Sequence, residues 1–189
     1  MKRYFIKTNW SEVTVKEYSI IKQILTSEFL DEDQKIEKLI ITLSDLTINE
    51  LNSLKIADYK YVVSKILFVK DSPTEVIISK SITVNNKKFE CDIKLENIVT
   101  GQYLMLQNIL KTDEDFDSKL KKILPIFIRP KGVSWGDYDY DEVQEFLYNN
   151  LSIEVAYSLG LFFSNMTNKL LKAIQASLLK ETKMKKKIL

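Results

Sequence analysis

Histidine is absent from this 189-residue chain, and cysteine, proline and glycine are scarce. Without histidine, Ser-His-Asp and Cys-His catalysis are excluded, and the commonest metal ligand is missing. Cys91 is the single cysteine, so neither an intrachain disulfide nor a Cys/His zinc site can form. None of the four glycines stands in either of the common phosphate-binding loop patterns. The sequence therefore predicts no cofactor and no catalytic or metal-binding residue.

The sequence also lacks a long apolar run and a strong excess of one charge. No stretch without a charged residue is longer than 155–168, and that one is too short and too polar to cross a bilayer. No apolar segment follows the basic start, so no secretory signal is predicted. The 28 basic and 26 acidic residues give a net charge of +2. We expect a soluble protein of a reducing compartment that makes no membrane contact.

The N-terminal region, residues 1–70, carries three patterns that start helices. In each, a residue that can cap a helix is followed three positions later by Glu or Gln. The pairs are Thr14 with Glu17, Asp31 with Gln34, and Thr47 with Glu50. Apolar residues at helical spacing follow each pair, and Asp58 precedes a fourth such stretch. These patterns predict an antiparallel bundle with short connections.

The apolar spacing changes at residues 75–94, where apolar and polar residues alternate on either side of Asn85 and Asn86. Alternation is typical of strands, and asparagine tolerates the positive φ of a tight turn. We therefore predict a β-hairpin over 75–94, with Cys91 buried as a small apolar side chain. An isolated hairpin is marginally stable, so it must pack on the helices or on another subunit.

Helical spacing returns over residues 98–184. Thr100 can cap one helix, the acidic run 113–117 can start the next, and Pro125 is expected to kink or end that second helix. A loop is predicted over 129–138 and a long final helix over 153–184, buried in its first half. The resulting fold class is mainly α: one domain, 1–189, built as a helical bundle with an inserted hairpin and a long C-terminal helix.

The basic tail, residues 180–189, is the strongest charge feature. Its lysines are Lys180, Lys183, Lys185, Lys186 and Lys187. They could contact a phosphate backbone or an acidic partner, or simply form a solvated helix end. Without arginine, any contact with DNA would be independent of base sequence.

Aromatic residues are concentrated in and beside the 129–138 loop, at Trp135, Tyr138 and Tyr140. They could anchor a protein interface, or they could hold the loop on the core. The interleaved acidic residues run straight into a helix start, which disfavours a calcium site. Another aromatic residue, Trp10, is expected to pack against Tyr18.

Four segments resemble a group of small proteins encoded by crAss-like tailed bacteriophages. They are WSEVTVKEY at 10–18, IVTGQYL at 98–104, KILPIFIRPKG at 122–132 and LGLFF at 159–163. Each segment is short, but together they span nearly the whole chain. The group usually has a residue other than proline at the position of Pro125, which implies a broken helix there.

The resemblance implies a non-enzymatic virion structural or assembly protein. One interpretation places the chain at the portal or head–tail vertex, where it would bind portal, capsid or tail subunits or copies of itself in a ring. The alternatives are a tail-assembly chaperone that later departs, or a host-directed binding module absent from virions. A histidine-free enzyme using carboxylate-bound Mg²⁺ near Arg129, Lys131, Asp137 and Asp139 is a further alternative. The implied location is the virion, and the host cytoplasm during assembly.

Overall fold

The computed structural model describes residues 4–94 and 97–163. Within these residues the fold is mainly α-helical, with one small antiparallel sheet. The helices are α1 (Val15–Thr26), α2 (Glu32–Leu43), α3 (Ile48–Asn52), α4 (Ile56–Ile66), α5 (Thr100–Leu110), α6 (Phe116–Phe127) and α7 (Tyr140–Asn150), with short 3₁₀ turns at Trp10–Glu12 and Leu67–Lys70. Residues 153–163 are also helical and are called α8 here. The predicted fold class, mainly α with a small inserted hairpin, is confirmed.

Side chains that cap the backbone determine where α1, α2 and α3 begin. All three predicted capping boxes form, starting at Thr14, Asp31 and Thr47. Each cap satisfies a backbone N–H that would otherwise lack a partner at the helix start. Helix α4 differs from the prediction because it begins two residues before Asp58, after Lys55, which makes no side-chain cap.

The hairpin is shorter than predicted and belongs to a larger sheet. Strands β1 (Ser81–Val84) and β2 (Lys87–Cys91) flank the turn at Asn85 and Asn86, both of which have positive φ. A third strand, β3 (Ile128–Pro130), pairs with β2, giving the order β1-β2-β3. Residues 75–80 are not in a strand. Strand β3 is not predictable from the sequence, because three residues at the start of a predicted loop give no alternating pattern.

Two helix boundaries in the second half also differ from the predictions. Helix α6 contains Pro125 and ends two residues later, because the chain turns at Phe127 into β3. Thr100 is the first residue of helix α5 and not its cap. The capping position belongs to Val99, whose backbone N–H donates to the Gln102 side chain at 3.0 Å. At α6 the predicted acidic start is confirmed, with Asp115 as the capping residue.

One face of α8 lies in the centre of the hydrophobic core. Ile153, Ala156, Leu159 and Phe163 are fully buried, whereas Phe162 is only half-buried. The rings of Phe163 and Phe127 stack with centroids 3.7 Å apart, joining α8 to the end of α6. The later part of the predicted final helix and the whole basic tail lie outside the described residues.

Candidate functional site

Two of the three predicted interface aromatics attach the 129–138 loop and the start of α7 to α6. The hydroxyl of Tyr138 donates to the carbonyl of Pro125, and the hydroxyl of Tyr140 donates to the carbonyl of Lys122. Both phenol rings are half-buried. Burial raises the pKa of Tyr138 to about 12 and also raises that of Tyr140.

The third aromatic, Trp135, lies over the start of α5. A Cβ atom added to Gly101 would lie 2.5 Å from Cη2 of the indole, so only glycine permits this contact. The aromatic residues of the loop thus hold it on two helices, which agrees with the second alternative given above, that they hold the loop on the core. Lys180, Lys183, Lys185, Lys186 and Lys187 lie outside the described residues.

Alkaline titration tests the placement of Tyr138. An unfolded tyrosine loses its proton near pH 10, whereas burial keeps Tyr138 neutral to higher pH in the folded chain. Since the unfolded state releases this proton first, the free energy of unfolding should fall as pH rises from about 10 to 12. Tyr138→Phe should reduce this fall and cost about 1 kcal/mol at neutral pH, where it removes one hydrogen bond.

The matched control for that titration is Tyr61→Phe, because the Tyr61 ring is largely exposed. Urea unfolding at several pH values measures both variants. If Tyr138→Phe keeps the wild-type dependence on pH, the hydroxyl of Tyr138 does not lie where the structure places it.

A buried polar network lies between α5, α6 and the sheet. Gln102 is almost completely buried, and its Nε2 donates to Asp92 Oδ2 at 3.1 Å and to the carbonyl of Ile126 at 2.7 Å. Its Oε1 accepts from the N–H of Val99. Every polar atom of this side chain is therefore used to hold the start of α5 against the end of α6.

Arg129 extends this network to the surface of the sheet. Its Nη1 lies 2.7 Å from Glu90 Oε2 and donates to the carbonyl of Val133 at 2.7 Å, while its Nε lies 3.5 Å from Asp92 Oδ2. The side chain is only about one-fifth exposed. These contacts fix the guanidinium in one orientation and place Glu90 and Asp92 beside it, instead of Asp137 and Asp139.

An open polar cleft of about 360 Å³ lies next to Arg129. Its charged lining consists of Lys80, Lys94, Arg129, Lys131, Glu90 and Asp92. Both carboxylates already contact Arg129. Over its described lining residues the cleft therefore has a formal excess of positive charge, which is suited to holding an anion.

Cys91 also borders this cleft but is buried, as predicted. Burial, with a smaller contribution from Asp92, raises the pKa of its thiol to about 12. Since the thiolate is the nucleophilic form, this thiol is unreactive at neutral pH.

A second surface feature is the free edge of β1. The N–H of Cys91 donates to the carbonyl of Lys80, so the hydrogen-bonded pairs across the hairpin involve residues 80, 82 and 84. The backbone groups of Ser81 and Thr83 consequently point away from β2, and among the described residues none of them has a partner. The edge is available for pairing with another strand.

Apolar surface adjoins this edge. The segment that leads into β1 is held on α8, where the N–H of Val76 donates to Ser158 Oγ at 2.8 Å. Next to it, the Ile77 side chain is 98% exposed. A groove of about 430 Å³ is lined by residues 75–78 of this segment together with Ile93, Ser158 and Phe162. An unpaired edge beside exposed apolar side chains is typical of a protein-binding surface.

Neither the cleft nor the edge is predicted from the sequence. Arg129 and Lys131 are noticeable in the sequence, but Lys80, Glu90 and Asp92 come from a distant segment. They meet only because β3 pairs with β2. The sequence gives one indication that the hairpin edge can pair with a partner, since an isolated hairpin is only marginally stable.

Comparison with known proteins gives no match to a protein family, a curated protein or a solved structure. In residues 4–94 and 97–163, no helix has both the length and the apolar content of a membrane span. Over the same residues, no three His, Cys, Asp or Glu side chains are grouped so as to hold a metal ion.

Proposed function

We propose that the chain is a non-enzymatic virion protein of a tailed bacteriophage, which binds portal, capsid or tail subunits at the portal or head–tail vertex. The open edge of β1 carries the proposal, because Ser81 and Thr83 offer backbone groups that a strand of a neighbouring subunit can pair with. The resemblance to crAss-like phage proteins supports the virion as the place where this pairing occurs.

The apolar groove beside the edge supports the same function. Pairing of backbone groups supplies affinity but little specificity, which comes from side-chain pockets next to the added strand. Ile77 and Phe162 border such a groove, and Ile77 is almost fully exposed. A neighbouring subunit that added a strand to β1 could also cover Ile77, removing apolar surface from water.

The substitution Thr83→Pro tests this proposal. The Thr83 N–H points away from β2, so proline removes a donor from the free edge and leaves the β1–β2 hydrogen bonds intact. Incorporation of the variant into virions, measured by mass spectrometry after co-expression with the wild-type chain, should fall about tenfold through loss of one intersubunit hydrogen bond and steric hindrance. Urea unfolding should show nearly unchanged stability.

The control is Thr83→Val, which keeps the backbone N–H and a β-branched side chain. It should enter particles like the wild-type chain. Equal incorporation of Thr83→Pro and Thr83→Val would contradict strand addition at β1. If the chain accumulates in infected cells but is never found in particles, a departing chaperone or a host-directed module is favoured instead.

A further inference from the structure

The guanidinium of Arg129 is held in place but retains unused donors. Nη1 donates to the carbonyl of Val133 and lies in ion-pair contact with Glu90, and Nε lies 3.5 Å from Asp92 Oδ2. Nη2 makes no hydrogen bond to any residue that the structure describes. The two N–H groups of Nη2 are therefore oriented before any ligand binds, which reduces the conformational entropy that is lost on binding.

Two lysines border the same cleft without an ion-pair partner among the residues that the structure describes. Lys80 precedes β1 and Lys131 follows β3, so they flank the central strand β2 from opposite sides. Both are exposed, and neither forms an ion pair with a described residue. The two carboxylates in the cleft cannot neutralise them fully, because both already contact Arg129.

Two like charges lie side by side next to this cleft, on Lys131, which lines it, and on Lys88, which does not. The N–H of Lys131 donates to the carbonyl of Lys88 at 3.0 Å, which brings two exposed lysines to neighbouring positions on β2 and the end of β3. Like charges at adjacent positions of a sheet are destabilising. Such a local conflict is relieved when an anion binds between or beside the charges.

We infer that this cleft binds a phosphate group carried by a nucleotide or a nucleic-acid chain. Arg129 would donate through Nη2, and Lys80 and Lys131 would supply point charges on either side. Planar guanidinium donors match the oxygens of phosphate, and lysines add attraction that does not depend on base sequence. The cleft, at about 360 Å³, has room for a phosphate with its attached sugar. This inference does not rest on the proposed virion function, nor on the basic tail.

The test uses the full chain with Lys80 and Lys131 both changed to Gln. The probes are a fluorescein-labelled oligothymidine, followed by polarisation over a range of salt concentrations, and inorganic phosphate, followed by NMR of the Arg129 Nε–H signal. At about 50 mM salt the oligothymidine should bind about tenfold more weakly to the variant. The slope of log K against log salt should fall in magnitude by about 1.5, because two phosphate contacts are lost.

The matched control changes Lys38 and Lys60 to Gln. These exposed lysines lie on α2 and α4, away from the sheet, and their loss alters net charge equally. Arg129→Lys serves as a second variant that keeps the charge and removes the planar donors. It should weaken oligothymidine binding, followed by polarisation, although net charge is unchanged.

Two sources of phosphate are distinguished by the probes. Binding of both probes assigns the site to any phosphate ester, and binding of oligothymidine alone assigns it to a nucleic-acid chain. Equal weakening by the two double substitutions would overturn the inference, since only net charge would then matter. It would also be overturned if polyglutamate bound with the same dependence on Lys80 and Lys131, which would indicate an acidic protein partner.

Discussion

Replacing Phe127 with alanine is expected to lower the free energy of unfolding by about 3 to 5 kcal/mol. Phe127 is fully buried, and its ring stacks on Phe163 at the junction of α6 and α8. Its carbonyl also accepts from the N–H of Asp92, so the residue lies where helices and sheet meet. Truncation leaves a cavity that these connected elements can fill only by moving together.

Urea unfolding followed by fluorescence of Trp10 and Trp135 measures this effect. Phe29→Ala is the matched control, because the Phe29 ring is 97% exposed and should contribute almost nothing to folding of the isolated chain. If Phe127→Ala fails to fold, Phe127→Leu gives a smaller loss of about 1 kcal/mol that remains measurable. Similar stabilities for Phe127→Ala and Phe29→Ala would contradict the packing of α6 on α8.

Gln102→Leu is expected to be the second large effect, lowering the free energy of unfolding by about 2 to 4 kcal/mol. Leucine keeps the volume but removes the donor to Asp92 and Ile126 and the acceptor for Val99. These groups lose their hydrogen bonds to Gln102 at a position that is almost inaccessible to water. Buried polar atoms left unpaired account for most of the predicted loss.

The control for this prediction lies on the same helix. Gln107 also belongs to α5, but its buried Nε2 has no hydrogen-bond partner within residues 4–94 and 97–163. Gln107→Leu should therefore leave stability unchanged or raise it slightly, because it removes an unpaired amide. Urea unfolding measures both variants. Equal losses of free energy of unfolding would mean that the hydrogen bonds of Gln102 do not account for its contribution to stability.

The helix starts that could be predicted from the sequence are those set by neighbouring residues. Thr14 and Glu17 are three positions apart, and their reciprocal hydrogen bonds form wherever that helix is placed. The turn at Asn85 and Asn86 was predictable for the same reason, because positive φ is a local property. By contrast, Lys55 gives no capping signal, and the start of α4 was misplaced accordingly.

The features that could not be predicted depend on contacts between distant segments. Strand β3 exists because residues 128–130 lie beside β2, and three residues give no pattern of their own. The polar network was missed because Gln102, Asp92 and Ile126 are brought together by packing of α5 on α6 and the sheet. Their position beside a loop makes Tyr138 and Tyr140 interface candidates, yet their hydroxyls donate to carbonyls of α6 within the chain.

The central claim, a structural role in the virion, is tested most directly by quantitative mass spectrometry of purified phage particles from cells that produce this chain. The account predicts a fixed copy number relative to the portal subunit, unchanged through successive purification steps. Absence from mature particles, together with abundance in infected cells, would contradict it.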